Sequence, residues 1–202
     1  MNSNSLVHVY VARFPFGIDD KKITPARAEE IENCANAEVK LQKFYAWKLL
    51  ETALSRSFGL NIEELDLKRT ENGKWECSAC CFSLSHSGNA VAVAVSDGPV
   101  GVDIERLDKS RFTLSLAERI ATEREMEEMG RKKDFARALN GLWTKKEAIF
   151  KLLGGKAFLP KAIETSDYST VTELFRLDGS YLATVASNNA KTAEFYNITP
   201  AC

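Results

Sequence analysis

The sequence has no excess of basic residues. Lysine and arginine together number 27, aspartate and glutamate number 28, and the net charge at pH 7 is −1. A protein that binds nucleic acid through its phosphates needs a cationic surface to neutralise them. The composition therefore argues against a general nucleic-acid-binding protein, although it leaves room for a local anion site.

Long apolar runs are also missing. No segment approaches the roughly 20 consecutive apolar residues that cross a bilayer. The chain does not open on a basic stretch followed by an apolar run, which is the pattern of a secretion signal. We therefore expect a protein that is neither inserted in a membrane nor secreted.

Histidine is scarce, and cysteine is odd in number. The chain has two histidines and five cysteines, three of them at Cys77, Cys80 and Cys81. The Cys77-x-x-Cys80 spacing suits zinc, but a structural zinc site needs four ligands and the sequence offers no second pair of this kind. We interpret these residues as reduced, buried strand cysteines of a cytoplasmic protein.

The elements that are present follow clear periodicities. With 45% hydrophobic residues among 202, the chain can bury a core as one large domain or two small ones. Helical spacing of apolar residues covers residues 36–58 and much of residues 108–153. Runs rich in β-branched residues predict strands at residues 6–11, 65–69, 75–82, 90–95, 100–105, 171–177, 181–186 and 193–198.

The two parts of the chain repeat one order of elements: an opening strand, a helical region and a three-stranded meander. This order predicts an α+β fold of two similar halves, each a helical region packed on a mainly antiparallel sheet. A pseudo-two-fold axis would relate them. We place the boundary between residues 1–99 and 100–202 and expect the active site in the cleft between the halves.

Several local signals support these assignments. Asn36 is a candidate N-cap and Gly59 a candidate C-cap of the first long helix. Residues 71–74, with sequence ENGK, predict a hairpin turn. Two capping boxes, beginning at Ser115 and Thr122, predict helix starts.

Residues 82–88, with sequence FSLSHSG, are predicted to end a strand in a small polar turn. The hydroxyls, the imidazole and free backbone N–H groups of such a turn suit an anion nest. A simple turn without a ligand is the alternative.

The sequence VGVDIE at residues 100–105 predicts an acidic strand. The turn at residues 97–99 should join it to the preceding strand as a hairpin. Because side chains alternate along a strand, Asp103 and Glu105 share one face. That face is either a solvated acidic surface or part of a cation site.

The sequence WTKKEAIFK at residues 143–151 predicts a functional helix. Trp143, Glu147 and Lys151 are four residues apart and therefore share one face. Together with the acidic strand, they suggest a divalent metal ion that handles phosphate. Two structural alternatives remain open: Glu147 closes a capping box that begins at Thr144, and Lys151 is only its ion-pair partner.

These three motifs, in this order, resemble the 4′-phosphopantetheinyl transferase superfamily. Its pattern is (V/I)G(V/I)D followed by W-x-x-K-E-(A/S)-x-x-K, and both parts match here. The holo-acyl-carrier-protein synthase type is about half this size and trimeric. This chain resembles the two-halved type of the surfactin-synthetase activators, which implies a monomer.

The resemblance implies a set of catalytic residues. Asp103, Glu105 and Glu147 would hold Mg²⁺, or Mn²⁺, against the pyrophosphate of coenzyme A. Lys151 would contact the phosphate that is transferred. Glu147 or a metal-bound water would be the base.

The resemblance also implies how coenzyme A is bound. Lys74, Ser85 and His86 match residues that contact its phosphates. The 3′-phosphate is assigned to a lysine of the first helix, in the order Lys48, Lys43 and Lys40.

The implied reaction is attack by a serine of an apo acyl, polyketide or peptidyl carrier protein on the β-phosphate of coenzyme A. Adenosine 3′,5′-bisphosphate would be released. Two other functions fit the same residues: a Mg²⁺-dependent phosphohydrolase and a non-catalytic module that binds coenzyme A.

Overall fold

Two β-sheets with helices packed around them make up the computed structural model, which describes residues 5–17, 22–168, 173–188 and 190–199. The helices are α1 (Pro25–Glu32), α2 (Ala37–Phe58), α3 (Leu114–Ile120), α4 (Glu123–Gly130) and α5 (Phe135–Leu153). The strands are β1 (Ser5–Arg13), β2 (Lys68–Arg69), β3 (Trp75–Glu76), β4 (Cys81–Ser87), β5 (Ala90–Ser96), β6 (Val100–Arg106), β7 (Glu173–Leu177), β8 (Tyr181–Ser187) and β9 (Ala190–Ile198).

The first sheet has the strand order β4-β5-β1-β9, and the second has the order β6-β8-β7. All neighbours are antiparallel except β1 and β9, which run parallel. β2 and β3 form a separate short ladder. The predicted α+β class is confirmed. None of the helices in the described ranges is long and apolar enough to cross a membrane.

Strand β5 lies between two cores. Its valines, such as Val93, pack with Trp47 and Leu50 of α2. Its alanines, such as Ala92, pack with Val102 of β6 and the apolar face of β8. Small alanine side chains let the two sheets approach closely, which explains why this strand is apolar on both faces.

Helix caps agree in part with the sequence. Asn36 accepts hydrogen bonds from the first turn of α2, and Gly59 ends that helix with φ of 65°, so both predictions are confirmed. The capping box at Thr122 is confirmed as well. The box at Ser115 is wrong, because α3 already begins at residue 114 and Thr113 is its N-cap.

The predicted hairpin between β5 and β6 is wrong. β5 is bonded to β1 on one edge and to β4 on the other, so neither edge is free for β6. The turn at residues 97–99 instead carries the chain from one sheet to the other, where β6 pairs with β8.

Residues 75–88 also differ from the prediction. The predicted strand at residues 75–82 is split into β3 and β4, while the turn at residues 71–74 does join β2 to β3. Residues 82–87 are strand and not a polar turn, and the chain reverses at Gly88, whose φ is 52°. The serines of this stretch are therefore spaced along a strand, which excludes a nest of adjacent N–H groups.

The predicted C-terminal meander is wrong in its last strand. β7 and β8 form an antiparallel pair through a turn at Asp178 and Gly179. β9 leaves them and joins the first sheet, with Glu194 opposite His8 of β1. Residues 171 and 172 of the predicted strand lie outside the described ranges.

The cysteine cluster precedes and begins β4. The sulfur atoms of Cys77 and Cys80 are 3.9 Å apart, and both thiols are free. Burial, together with the neighbouring Cys77, raises the pKa of the Cys80 thiol to about 12. Cys80 is buried, as predicted, whereas Cys77 and Cys81 are half-buried.

Candidate active site

The acidic strand β6 and the helix α5 face each other. Asp103 of β6 is only 4% exposed. Its Oδ1 accepts hydrogen bonds from Lys151 Nζ and Ser85 Oγ, both at 2.8 Å, while its Oδ2 is buried without a hydrogen-bond partner. Lys151 therefore pairs with the strand, and the alternative that it is only the ion-pair partner of Glu147 is wrong.

Glu105 receives hydrogen bonds on both oxygens. Trp143 Nε1 donates to Oε1 at 3.0 Å, and Ser87 Oγ and Arg111 Nη1 donate to Oε2 at 2.8 Å. The Arg111 guanidinium also lies over the Trp143 ring, 5.4 Å from its centroid. Glu105 is thus fixed in place by neutral and cationic donors, with neither oxygen left free.

Glu147 lies on the same stripe of α5 as Trp143 and Lys151 and is half-buried. No described residue donates a hydrogen bond to its carboxylate. Burial raises the pKa of Glu147 to about 7, and the negative charges of Asp103 and Glu105 raise it further than Lys151 lowers it. The two acids of β6 and Glu147 are therefore close enough to repel one another.

Glu147 does not close a capping box. The N-cap of α5 is Asp134, whose side chain accepts a hydrogen bond from Arg137 N. Thr144 lies well inside the helix, and its hydroxyl donates to the Gly141 carbonyl at 3.1 Å. The capping interpretation of Glu147 is wrong because the helix begins more than two turns earlier.

Three serines of β4 position the acidic strand. Ser83, Ser85 and Ser87 share one face of β4, and their hydroxyls accept hydrogen bonds from alternate N–H groups of β6 at 3.0–3.2 Å. Ser85 and Ser87 also donate to Asp103 and Glu105. The edges of the two sheets are therefore joined through side chains, and these hydroxyls orient the acids.

Gly101 allows β6 to lie directly against α5. A Cβ atom at this position would stand 2.0 Å from the Ala148 carbonyl oxygen and 2.5 Å from Leu152 N. Both atoms belong to the helix backbone, which cannot move aside cheaply. The glycine therefore sets the distance between Asp103 and the helix that carries Lys151.

We expect Gly101→Ala to destabilise the protein by about 1–3 kcal/mol, the usual cost of overpacking. Urea unfolding would measure the loss. Gly130→Ala is the matched control, because a Cβ there would meet nothing within 4 Å. Equal stability of the two variants would contradict the close packing of β6 on α5.

A cavity of about 370 Å³ opens beside these acids. Lys151, which contacts Asp103, lines this cavity. Lys74 and His86, which the resemblance assigns to the phosphates of coenzyme A, also line it. The other charged residues on its wall are Arg27, Glu30, Lys43 and Glu76.

Two predicted binding residues lie elsewhere. Lys48 is 3% exposed, and its ammonium donates to Glu51 Oε2 at 2.7 Å and to the Lys22 carbonyl, beside a different cavity. Ser85 contacts Asp103, while its strand neighbour His86 faces the cavity. Lys48 is thus a buried structural lysine.

Lys43, the second candidate in the predicted order, lines the cavity instead. Lys43 and Lys48 are about one and a third turns apart on α2, so their side chains point in different directions. Arg27 was missed. Its only signal in the sequence is a basic residue in a short acidic helix, and contact with the cavity depends on how α1 docks on α2.

The site suits an oxygen-ligated divalent cation in part. Asp103 Oδ2 is buried and unpartnered, and Glu147 has an elevated pKa, so a cation beside both would stabilise their charges. Within the described ranges, no three His, Cys, Asp or Glu side chains stand ready as a complete ligand set. Two carboxylates suffice for Mg²⁺, which typically uses one or two together with substrate phosphates.

Comparisons with known proteins point to one family. The family model described as "4′-phosphopantetheinyl transferase superfamily" matches residues 99–195. The chain is similar to a 4′-phosphopantetheinyl transferase of Bacillus subtilis, 27% identical over 71% of this chain and 67% of the relative. It is similar to psf-1 of Bacillus pumilus, at 27% over 74% and 72%, and to gsp of Aneurinibacillus migulanus, at 35% over 74% and 64%.

The matched region contains the acidic strand and the α5 stripe, which face each other in the structure. On these grounds the chain is similar to the enzymes of the 4′-phosphopantetheinyl transferase superfamily, and the similarity includes both motifs of the site.

Proposed function

We propose that this chain transfers the 4′-phosphopantetheine group of coenzyme A to a serine of an apo carrier protein. The observation that carries the proposal is that Lys151, which contacts Asp103, lines a cavity together with several other cations. Such a cavity suits the several phosphates of coenzyme A, and the acids beside Lys151 suit phosphoryl chemistry. Residues from both 1–99 and 100–202 line it, and we retain this division into halves.

In the proposed reaction, the serine oxygen forms a bond to the β-phosphorus of coenzyme A. The bond from that phosphorus to the bridging oxygen breaks, and adenosine 3′,5′-bisphosphate leaves. Glu147, directly or through a water beside it, accepts the serine proton as the general base. Lys151 donates to a non-bridging oxygen of the transferred phosphate.

Asp103 and Glu147 would hold Mg²⁺, or Mn²⁺, with Glu105 fixed beside them. When bound, the ion neutralises charge on the diphosphate and stabilises the leaving group. Ser85 holds the Asp103 carboxylate so that its free Oδ2 stays directed away from Lys151. Trp143 and Arg111 occupy both oxygens of Glu105 and hold its carboxylate in place.

Mass spectrometry tests this function directly. Apo acyl, polyketide and peptidyl carrier proteins would be incubated with coenzyme A, Mg²⁺ and the enzyme. We expect at least one carrier to gain a phosphopantetheine group, and a chelator to stop the reaction, with Mn²⁺ but not Zn²⁺ restoring it. Release of phosphopantetheine without a carrier would indicate a phosphohydrolase, and binding without turnover would indicate a binding module.

His86 is expected to meet the ligand as a neutral imidazole. Burial, followed by the charges of Lys151, Arg27 and Lys43, lowers its pKa to about 4. In the unfolded chain a histidine binds a proton near pH 6.5. The unfolded state therefore holds more protons between these values, and stability contributed by His86 is lost as pH falls from about 6.5 to 4.

We expect wild-type protein to lose about 2 kcal/mol more stability than His86→Gln between pH 7 and pH 5. Urea unfolding at the two pH values, on both proteins, measures this difference. Parallel losses in the two proteins would show that His86 is not held neutral by its surroundings.

A further inference from the structure

The end of the cavity at Arg27 and Lys43, called here the cationic end, already contains an anion of the protein itself. The Glu30 carboxylate accepts hydrogen bonds from Arg27 Nη1 at 2.6 Å and Trp75 Nε1 at 3.0 Å. Lys43 Nζ lies 2.8 Å from its Oε1, and Arg69 Nη2 lies 3.5 Å from the same atom. Three cations and one indole N–H thus surround a single carboxylate.

The carboxylate is firmly ionised. Burial by itself raises the pKa of Glu30, but the hydrogen bond from Lys43, the charge of Arg27 and the hydrogen bond from Trp75 outweigh it and lower the pKa to about 2. The ionised Glu30 carboxylate therefore competes with any other anion that approaches the same donors.

The Arg27 guanidinium is held by contacts other than the one with the Glu30 carboxylate. Arg27 is only 5% exposed, and its guanidinium lies over the Trp47 ring, 5.0 Å from the centroid. Its Nη2 donates to the Lys43 carbonyl at 3.0 Å, and its Nε is buried with no partner. If Glu30 moved away, the guanidinium would stay in place and still present donors to the cavity.

We propose that Glu30 is an internal competitor of the phosphate monoester of the substrate at this end of the cavity. This inference rests on the proposed function, in which coenzyme A carries that monoester as its 3′-phosphate. The cluster has three cations and one carboxylate, so it attracts a further anion. The phosphate and Glu30 nevertheless need the same N–H donors. When the phosphate binds, either the Glu30 carboxylate is displaced or the two anions repel each other.

Glu30 therefore limits the affinity of the protein for the phosphate monoester. In the free enzyme, its negative charge offsets the repulsion among the three cations. Its removal should tighten binding of ligands that carry the monoester and leave those without it almost unaffected. A residue that only organised the cations would have the opposite effect, because its loss would scatter them.

Calorimetric titration without carrier protein separates these outcomes. Coenzyme A and dephospho-coenzyme A would each be titrated into wild type, Glu30→Gln and the control Glu29→Gln. Glu29 is exposed on the same helix. We expect Glu30→Gln to bind coenzyme A about tenfold more tightly, the size of one charge-assisted hydrogen bond, with little change for the dephospho form.

Weaker binding of coenzyme A by Glu30→Gln, or an equal gain for both ligands, would overturn the inference. Failure of the proposed function looks different, since wild type would then bind neither ligand or fail to modify any carrier. Should Glu30→Gln not fold, Glu30→Asp withdraws the carboxylate by one methylene and keeps its charge. It is expected to give a smaller gain, again only for coenzyme A, and no gain would overturn the inference.

Thermal unfolding adds an independent readout. Without ligand, Glu30→Gln should melt below wild type, because its three cations lose their counter-charge. Saturating coenzyme A should raise its melting temperature by more than it raises that of wild type, since tighter binding stabilises the folded state further. A smaller rise than in wild type would contradict the competitor role.

Discussion

Glu147→Gln is expected to lower the rate of carrier modification by about 10²–10⁴-fold, the usual contribution of a general base. The amide is close in size to the carboxylate but cannot accept the serine proton. Asp103→Asn is expected to lower the rate by about 10²–10³-fold, because Lys151 loses its anionic partner and the cation site loses a charge. Initial rates with coenzyme A, Mg²⁺ and an apo carrier measure both effects.

Asp97→Asn is the matched control, since this aspartate is exposed in the turn that precedes β6. It should modify the carrier at the wild-type rate. All three variants should also be melted, because a loss of rate with unchanged stability places the effect in the chemistry. Near-normal transfer by Glu147→Gln would contradict its role as the base.

Lys146→Met is expected to cost about 3–5 kcal/mol of folding stability, because it removes one partner of a buried ion pair and leaves the other charge buried. Lys146 has no exposed side-chain surface, and its ammonium contacts Glu125 Oε2 at 2.7 Å. It also donates to the carbonyls of Pro160 at 2.9 Å and Ile163 at 2.5 Å. Its loss leaves the buried Glu125 carboxylate without its counter-charge and removes one donor from each of the two carbonyls.

Urea unfolding would measure the cost of Lys146→Met. Lys145→Met is the control, because this neighbour is half-buried and forms no ion pair with the residues that the structure describes. Glu125→Gln combined with Lys146→Met should regain part of the stability, since the buried charge is then removed from both sides. A change below about 1 kcal/mol in the single variant would contradict a stabilising role of the Lys146–Glu125 pair.

Local chemistry allowed much of the scaffold to be predicted from the sequence. The caps of α2 are such a case, because Asn36 and Gly59 act on N–H and carbonyl groups within one turn. The hairpin turn at residues 71–74 is another, since its glycine has a φ of 79° that few other residues tolerate. These features depend on neighbours only a few residues away.

The main elements of the site were predicted for a related reason. Side-chain period alone puts Asp103 and Glu105 on one face of a strand, and Trp143, Glu147 and Lys151 on one face of a helix. The structure confirms both faces and shows that they meet. Their order along the chain also carried the family resemblance, since both motifs lie inside the matched region.

What the tertiary structure alone decided is which side chains meet across long separations. Lys43 and Lys48 have the same local pattern, yet the docking of α1 and the β2–β3 turn puts only Lys43 on the cavity. β5 and β6 lie in different sheets because both edges of β5 are paired with other strands, β1 and β4. In the sequence, Glu30 looks like an ordinary acidic residue on a helix surface. In the structure, Arg27, Lys43 and Trp75 surround it. The burial of a residue and the charges around it depend on the whole fold, so the local sequence does not reveal them.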